Sequence, residues 1–96
     1  MDDGYTLIAA NFTIRGGEID LLMKKERKLV AIEVKYLDTM MDLSEYLHPK
    51  KINALKKTLA FFLQKVDEGQ FDEINLDVVI VRNGHIVEMY HNVTNT

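Results

Sequence analysis

The chain has 96 residues, 47% of them hydrophobic, which suits one domain with one core and is too few for two. It has no cysteine, so a disulfide framework, a thiolate zinc site and thiol catalysis are excluded, as fits a reducing cytoplasm. A net charge of -3 and a pI near 5.5 argue against a protein that coats nucleic acid by bulk charge, so any such binding must be local.

No apolar run approaches the roughly 20 residues that cross a bilayer, and Met1-Asp2-Asp3-Gly4-Tyr5 is acidic where a signal peptide would be basic and then apolar. The expectation is a soluble, cytoplasmic protein without a membrane partner. In that setting the sequons Asn11-Phe12-Thr13 and Asn92-Val93-Thr94 carry no message.

Tyr5 to Ile14 is rich in strand formers and stops at Arg15-Gly16-Gly17, a strand followed by a turn. Glu18 to Lys24 and Leu29 to Leu37 are two more strands around a charged turn. Asp38 to His48 is irregular, with one helical turn near Leu43 to Leu47. Pro49 suits the first turn of a helix, and Ile52, Leu55, Leu59, Phe62, Leu63 and Val66 then recur at helical spacing until Gly69 ends it. Ile74 to Arg82 and His85 to Val93 are strands joined by Asn83-Gly84, the dipeptide that best tolerates the positive φ of a tight hairpin. The order β-β-β-α-β-β makes the helix a crossover, right-handed by the general rule, to a strand parallel to Leu29–Leu37. The predicted fold is α/β: a mixed sheet of about five strands with one long helix on a face.

The chemistry concentrates in the second and third strands. If their loop has an even length centred on Glu26-Arg27, Asp20 faces Glu33 and Glu18 faces Lys35, all on one side by strand alternation. Opposed β-carbons lie about 5 Å apart, close enough for two carboxylates to close on one hard cation. Like charges placed opposite each other destabilise a sheet, and a divalent metal is the simplest reason to keep them. Mg²⁺ would leave positions for a phosphate oxygen and an attacking water, with Lys35 to orient that water or offset phosphate charge. Glu18 can join the site as an accessory or pair with Lys35. The competing interpretation is a solvent-facing polar side of a hairpin, with Glu18 and Lys35 as a cross-strand ion pair and Asp20 paired elsewhere.

Gly17-Glu18-Ile19-Asp20-Leu21 and Ala31-Ile32-Glu33-Val34-Lys35, with Gly4-Tyr5, Asn11-Phe12, Pro49-Lys50-Lys51 and Asp77-Val78-Val79-Ile80-Val81, resemble the YraN-like family of PD-(D/E)XK nucleases, related to archaeal Holliday junction resolvases. The resemblance spans most of the chain. It implies a restriction-endonuclease-like core in which Asp20 and Glu33 ligate Mg²⁺ or Mn²⁺, the Val34 carbonyl adds a ligand and Lys35 is catalytic. The implied activity is endonucleolytic hydrolysis of DNA, branched or junction DNA among its substrates by analogy of fold. The alternative is a nuclease-fold module that binds nucleic acid or protein without cutting. In the family a helix with an acidic residue precedes the Gly-Tyr, and that acid has no counterpart here. One helix covers one face of a sheet, so a second subunit or the acidic Asp38 to Glu45 stretch is expected on the other.

Lys50, Lys51 and Lys57 open the helix and are candidates to hold a phosphate backbone, which positions nucleic acid without reading its sequence. Lys24 to Lys28 is a second basic cluster, with the solvated turn as its plainer interpretation. His48, His85 and His91 lack zinc-site spacing. Asp77, on a strand predicted to be central, is expected to bond a neighbouring loop or to support the site from behind. Phe61 falls opposite the apolar stripe, as an isolated exposed side chain or as part of a homodimer contact.

Overall fold

A computed structural model describes residues 4–36, 48–66 and 68–91, without the side chains of 68 and 87. It contains β1 (Thr6–Ile14), β2 (Gly17–Lys25), β3 (Lys28–Tyr36), α1 (Pro49–Gln64), a 3-10 turn (Glu68–Gln70), β4 (Glu73–Arg82) and β5 (His85–Tyr90). The five strands form one sheet in chain order, antiparallel except for the parallel pair β3–β4. This is the mixed α/β sheet with one helix expected from the strand and helix order, and it is consistent with the restriction-endonuclease-like core that the resemblance implies. The expected turn near Leu43 to Leu47, the acidic Asp38 to Glu45 stretch and the end of the last strand lie outside the described residues.

Turn chemistry sets the register. Asn83 (φ 50°) and Gly84 (φ 80°) both take the left-handed conformation that a two-residue hairpin turn needs. Glu26 adopts φ 54° in the turn between β2 and β3, and that even-length turn fixes Leu21↔Ile32 through Lys25↔Lys28. The ladder stops at Leu21↔Ile32, and Asp20 and Glu33 are the residues next beyond it.

The helix is shorter than its apolar stripe suggests. It ends at Gln64 rather than running to Gly69, because the Lys65 N–H closes back on the Phe62 carbonyl at 2.9 Å and tightens the last turn. At its start the His48 carbonyl accepts from Lys51 and Ile52 at 3.0 and 3.1 Å, with Pro49 preset for the first turn. Its fully buried side chains are Leu55, Thr58 and Phe62. Thr58 is absent from any apolar count, yet it is sealed against Gly17 and satisfies its hydroxyl by donating to its own helix at Ala54 O, 2.7 Å away.

The core under α1 joins Ile19, Leu22, Leu29, Ala31, Leu55, Phe62, Leu76, Val78 and Ile80. By alternation Met23, Val30 and Val79 point to the other face, and they too are buried, so both faces of the central strands are shielded from water.

Candidate functional site

Strict alternation fails at Asp20. Ile19 and Leu22 both enter the core beneath α1, and so do Ala9 and Phe12 on β1. A spacing of three instead of two means that both strands reverse their faces in between. Ala10 pairs with Leu21 and Phe12 with Ile19, so the reversal centres on Asn11 opposite Asp20. Asn11 takes φ 54°, a left-handed conformation that asparagine tolerates better than most residues.

The reversal turns Asp20 out of the regular ladder. Its carboxylate Oδ2 accepts the Val34 N–H at 2.7 Å, a charge-assisted bond that pins the carboxylate to β3 beside Glu33. Asp20 also lines an open cleft of about 440 Å³ with Ala10, Asn11, Leu21, Val34 and Tyr36.

Glu33 stands on the helix-facing side of β3 and is only 5% exposed. Its Oε2 is buried, and among the described residues it accepts no well-aligned hydrogen bond, while Lys51 Nζ lies 3.2 Å away, within ion-pair distance, and supplies opposite charge. Burial, followed by the hydrogen bond and like charge of Asp20, pushes the Glu33 carboxyl up to about 8 against the opposing pull of Lys51.

The candidate residues therefore separate. Asp20 and Glu33 come together next beyond the paired ladder, with Val34 between them through its N–H. Lys35 shares the face of Glu33 by alternation and is partly buried. Glu18 is exposed and accepts from the Thr13 hydroxyl at 2.9 Å, on the β1 side of the reversal. Simple alternation from Glu18 through Asp20 had placed all four side chains together, and the face reversal at Asp20 corrects that. Lys50 and Lys57 are exposed on α1, whereas Lys51 turns inward to Glu33.

Sequence reasoning missed the Glu33–Lys51 contact, since nothing in the spacing of residues on β3 and α1 reveals how the crossover returns the helix. It also missed the partner of Asp77. This 8% exposed carboxylate on β4 meets the imidazole Nδ1 of His91, in the segment just beyond β5, at 3.0 Å. Phe61 is 41% exposed, but it is not isolated: its ring lies 6.5 Å from that of Phe12, and Lys65 Nζ sits 4.9 Å above it.

The donor set fits a hard divalent cation in part. A buried carboxylate oxygen without a well-aligned hydrogen bond among the described residues, beside a second carboxylate fixed by a backbone N–H, is what an oxygen-preferring ion would complete. Among the described residues, no group of three or more His, Asp or Glu side chains is arranged to hold a metal, so the protein would supply two carboxylates and leave the remaining positions to carbonyl, water or substrate. No helix among the described residues is long and apolar enough to cross a membrane.

The chain is 34% identical to a UPF0102 protein of Petrotoga mobilis over 90% of its own length and 78% of the relative's. It is 37% identical to one of Vibrio vulnificus over 93% of its length and 76% of the relative's. A Campylobacter jejuni UPF0102 protein is 30% identical, over 95% of this chain and 79% of that protein. The family model described as "Uncharacterised protein family UPF0102" matches residues 1–81, which include Asp20, Glu33, Lys35 and Lys51, and the chain therefore belongs to that family, which is YraN-like and restriction-endonuclease-like.

Proposed function

We propose that this protein is a metal-dependent endonuclease that hydrolyses phosphodiester bonds of DNA. The observation that carries the proposal is the buried Glu33 carboxylate, its Oε2 without a well-aligned hydrogen bond among the described residues, held beside Asp20 at the reversal in β2. Asp20, Glu33 and the Val34 carbonyl would hold Mg²⁺ or Mn²⁺, which when bound supplies Lewis acidity and an activated water. Asp20 is oriented by the Val34 N–H. Lys35, on the face of Glu33, is the residue to position the attacking water or neutralise phosphate charge. The exposed Lys50 and Lys57 would hold the flanking backbone, and branched or junction DNA follows from the family's relatives.

The test is cleavage of single-stranded, duplex, flapped and four-way DNA with Mg²⁺ or Mn²⁺, beside a Glu33→Ala control. Cutting that disappears in the control is expected, and the preferred substrate names the class. Folded protein that cuts nothing with either metal would overturn the proposal. In the same assays, Lys50→Ala with Lys57→Ala should reduce the salt slope of DNA binding, and an unchanged slope would remove those lysines from the interface.

A second reading, a nuclease-fold module that binds without cutting, is favoured by one observation: no third carboxylate or imidazole joins Asp20 and Glu33 among the described residues. Metal-independent DNA binding together with absent cleavage would select it.

A further inference from the structure

The amine of Lys51 occupies the position against Glu33 Oε2 that a divalent cation would take. It comes from the first turn of α1, which the His48 carbonyl and Pro49 anchor, and its side chain is 34% exposed, so the ammonium has a path back to solvent. Glu33 has no such freedom: it is 5% exposed and fixed in β3, the inner strand of two ladders. Breaking a buried ion pair by leaving a carboxylate alone is strongly unfavourable, so the ammonium leaves only when a proton or a metal ion takes up the charge of the carboxylate. Lysine suits this exchange, being a compact charge on a flexible four-carbon stem rather than a planar fork locked in two hydrogen bonds.

We infer that Lys51 is the resident counter-cation of the carboxylate centre, displaced from Glu33 Oε2 when a divalent metal binds and thereby released to contact a substrate phosphate. Lys51 is then a positioning residue for Glu33 without metal and a phosphate ligand with it. This role differs from that of Lys50 and Lys57, whose side chains are exposed throughout. The inference rests on the metal-site reading above, and its test separates the two.

The experiment measures how fast each lysine of the intact protein is acetylated by a water-soluble acetylating ester, read by peptide mass spectrometry. Mn²⁺ binding is followed in parallel by electron paramagnetic resonance, and Lys50 and Lys56 serve as exposed references. Lys51 should react slowly without metal, severalfold faster with Mn²⁺ bound, and slowly again when a phosphorothioate single-stranded oligonucleotide is added. In Glu33→Gln, Lys51 should react fast from the start, with no response to Mn²⁺. Bound Mn²⁺ with an unchanged Lys51 rate would overturn the exchange while leaving the metal site standing. No bound Mn²⁺ in the folded protein would overturn the metal site and the exchange together. A Lys51 that stays fast with the oligonucleotide would overturn the phosphate contact.

Discussion

Glu33 carries an energetic cost that pH exposes. Its folded pKa of about 8 lies above the ordinary glutamate value of 4.5, so the folded state retains a proton that the unfolded chain releases across this interval. The favourable contribution of protonated Glu33 is complete below about pH 4.5 and is lost as pH rises toward 8, where the carboxylate must ionise in a buried place. Each pKa unit corresponds to roughly 1.4 kcal/mol, so the loss is on the order of a few kcal/mol at most. Glu33→Gln cannot ionise and should melt higher than the natural protein in mildly alkaline buffer, with the gap closing toward pH 5. Parallel melting profiles across this range would contradict a raised Glu33. Because a metal competes with the proton for the same oxygen, Mn²⁺ should raise the melting temperature more at alkaline pH than at pH 6, and not at all in Glu33→Gln.

At the scale of elements, the site depends on how closely α1 approaches the first hairpin. A β-carbon built on Gly17 would stand 2.0 Å from Thr58 Oγ1 and 3.1 Å from the Ala54 carbonyl, so only glycine lets the helix lie this near β2. Gly17→Ala should lift the helix and destabilise the fold by about 1–3 kcal/mol, the usual range for overpacking. Adding Thr58→Ala removes the closer clash and should recover part of the loss in thermal melts, as expected of two residues in contact. A fully additive double variant would show that Gly17 matters for turn geometry and not for helix approach. Gly17 was legible in sequence as a turn residue, but its steric role was not, since the opposing threonine lies beyond the third strand.

At the scale of the whole molecule, the two ends of the sheet differ in chemistry. At the end away from the carboxylates, Arg27 grips Asp72 through two nitrogens, at 2.7 and 3.1 Å, and also donates to the Gly69 carbonyl, while the Arg27 carbonyl accepts the Asp72 N–H at 2.8 Å. The guanidinium holds the Asp72 carboxyl below its ordinary range. The basic Lys24 to Lys28 cluster is thus partly absorbed in closing the β2–β3 turn onto the segment before β4, with Lys28 reaching Glu73 at 3.5 Å. Along the α1 flank, Phe61 and Phe12 form an apolar strip at the β1 edge, where we place the contact of the proposed homodimer. Light scattering at tens of micromolar should give a dimeric mass, and Phe61→Glu should reduce it to the monomer. A monomeric mass for the natural protein would end that proposal.

The sequence by itself determined the strand order and the even-length turn at Glu26-Arg27, which fixes the ladder as far as Leu21↔Ile32 and brings Asp20 into the neighbourhood of Glu33, because turn length is a local property. It also determined the start of α1 at Pro49, and a run of motifs sufficient to suggest the family. Only the tertiary structure decided that β1 and β2 reverse their faces at Asn11 and Asp20, sending Glu18 to Thr13 and Asp20 to the Val34 N–H. It also decided that Lys51, among several similar lysines at the start of one helix, is the one turned onto Glu33. Such contacts depend on the path of a crossover and on where a helix may approach a sheet, and these are set by packing between residues far apart in the chain.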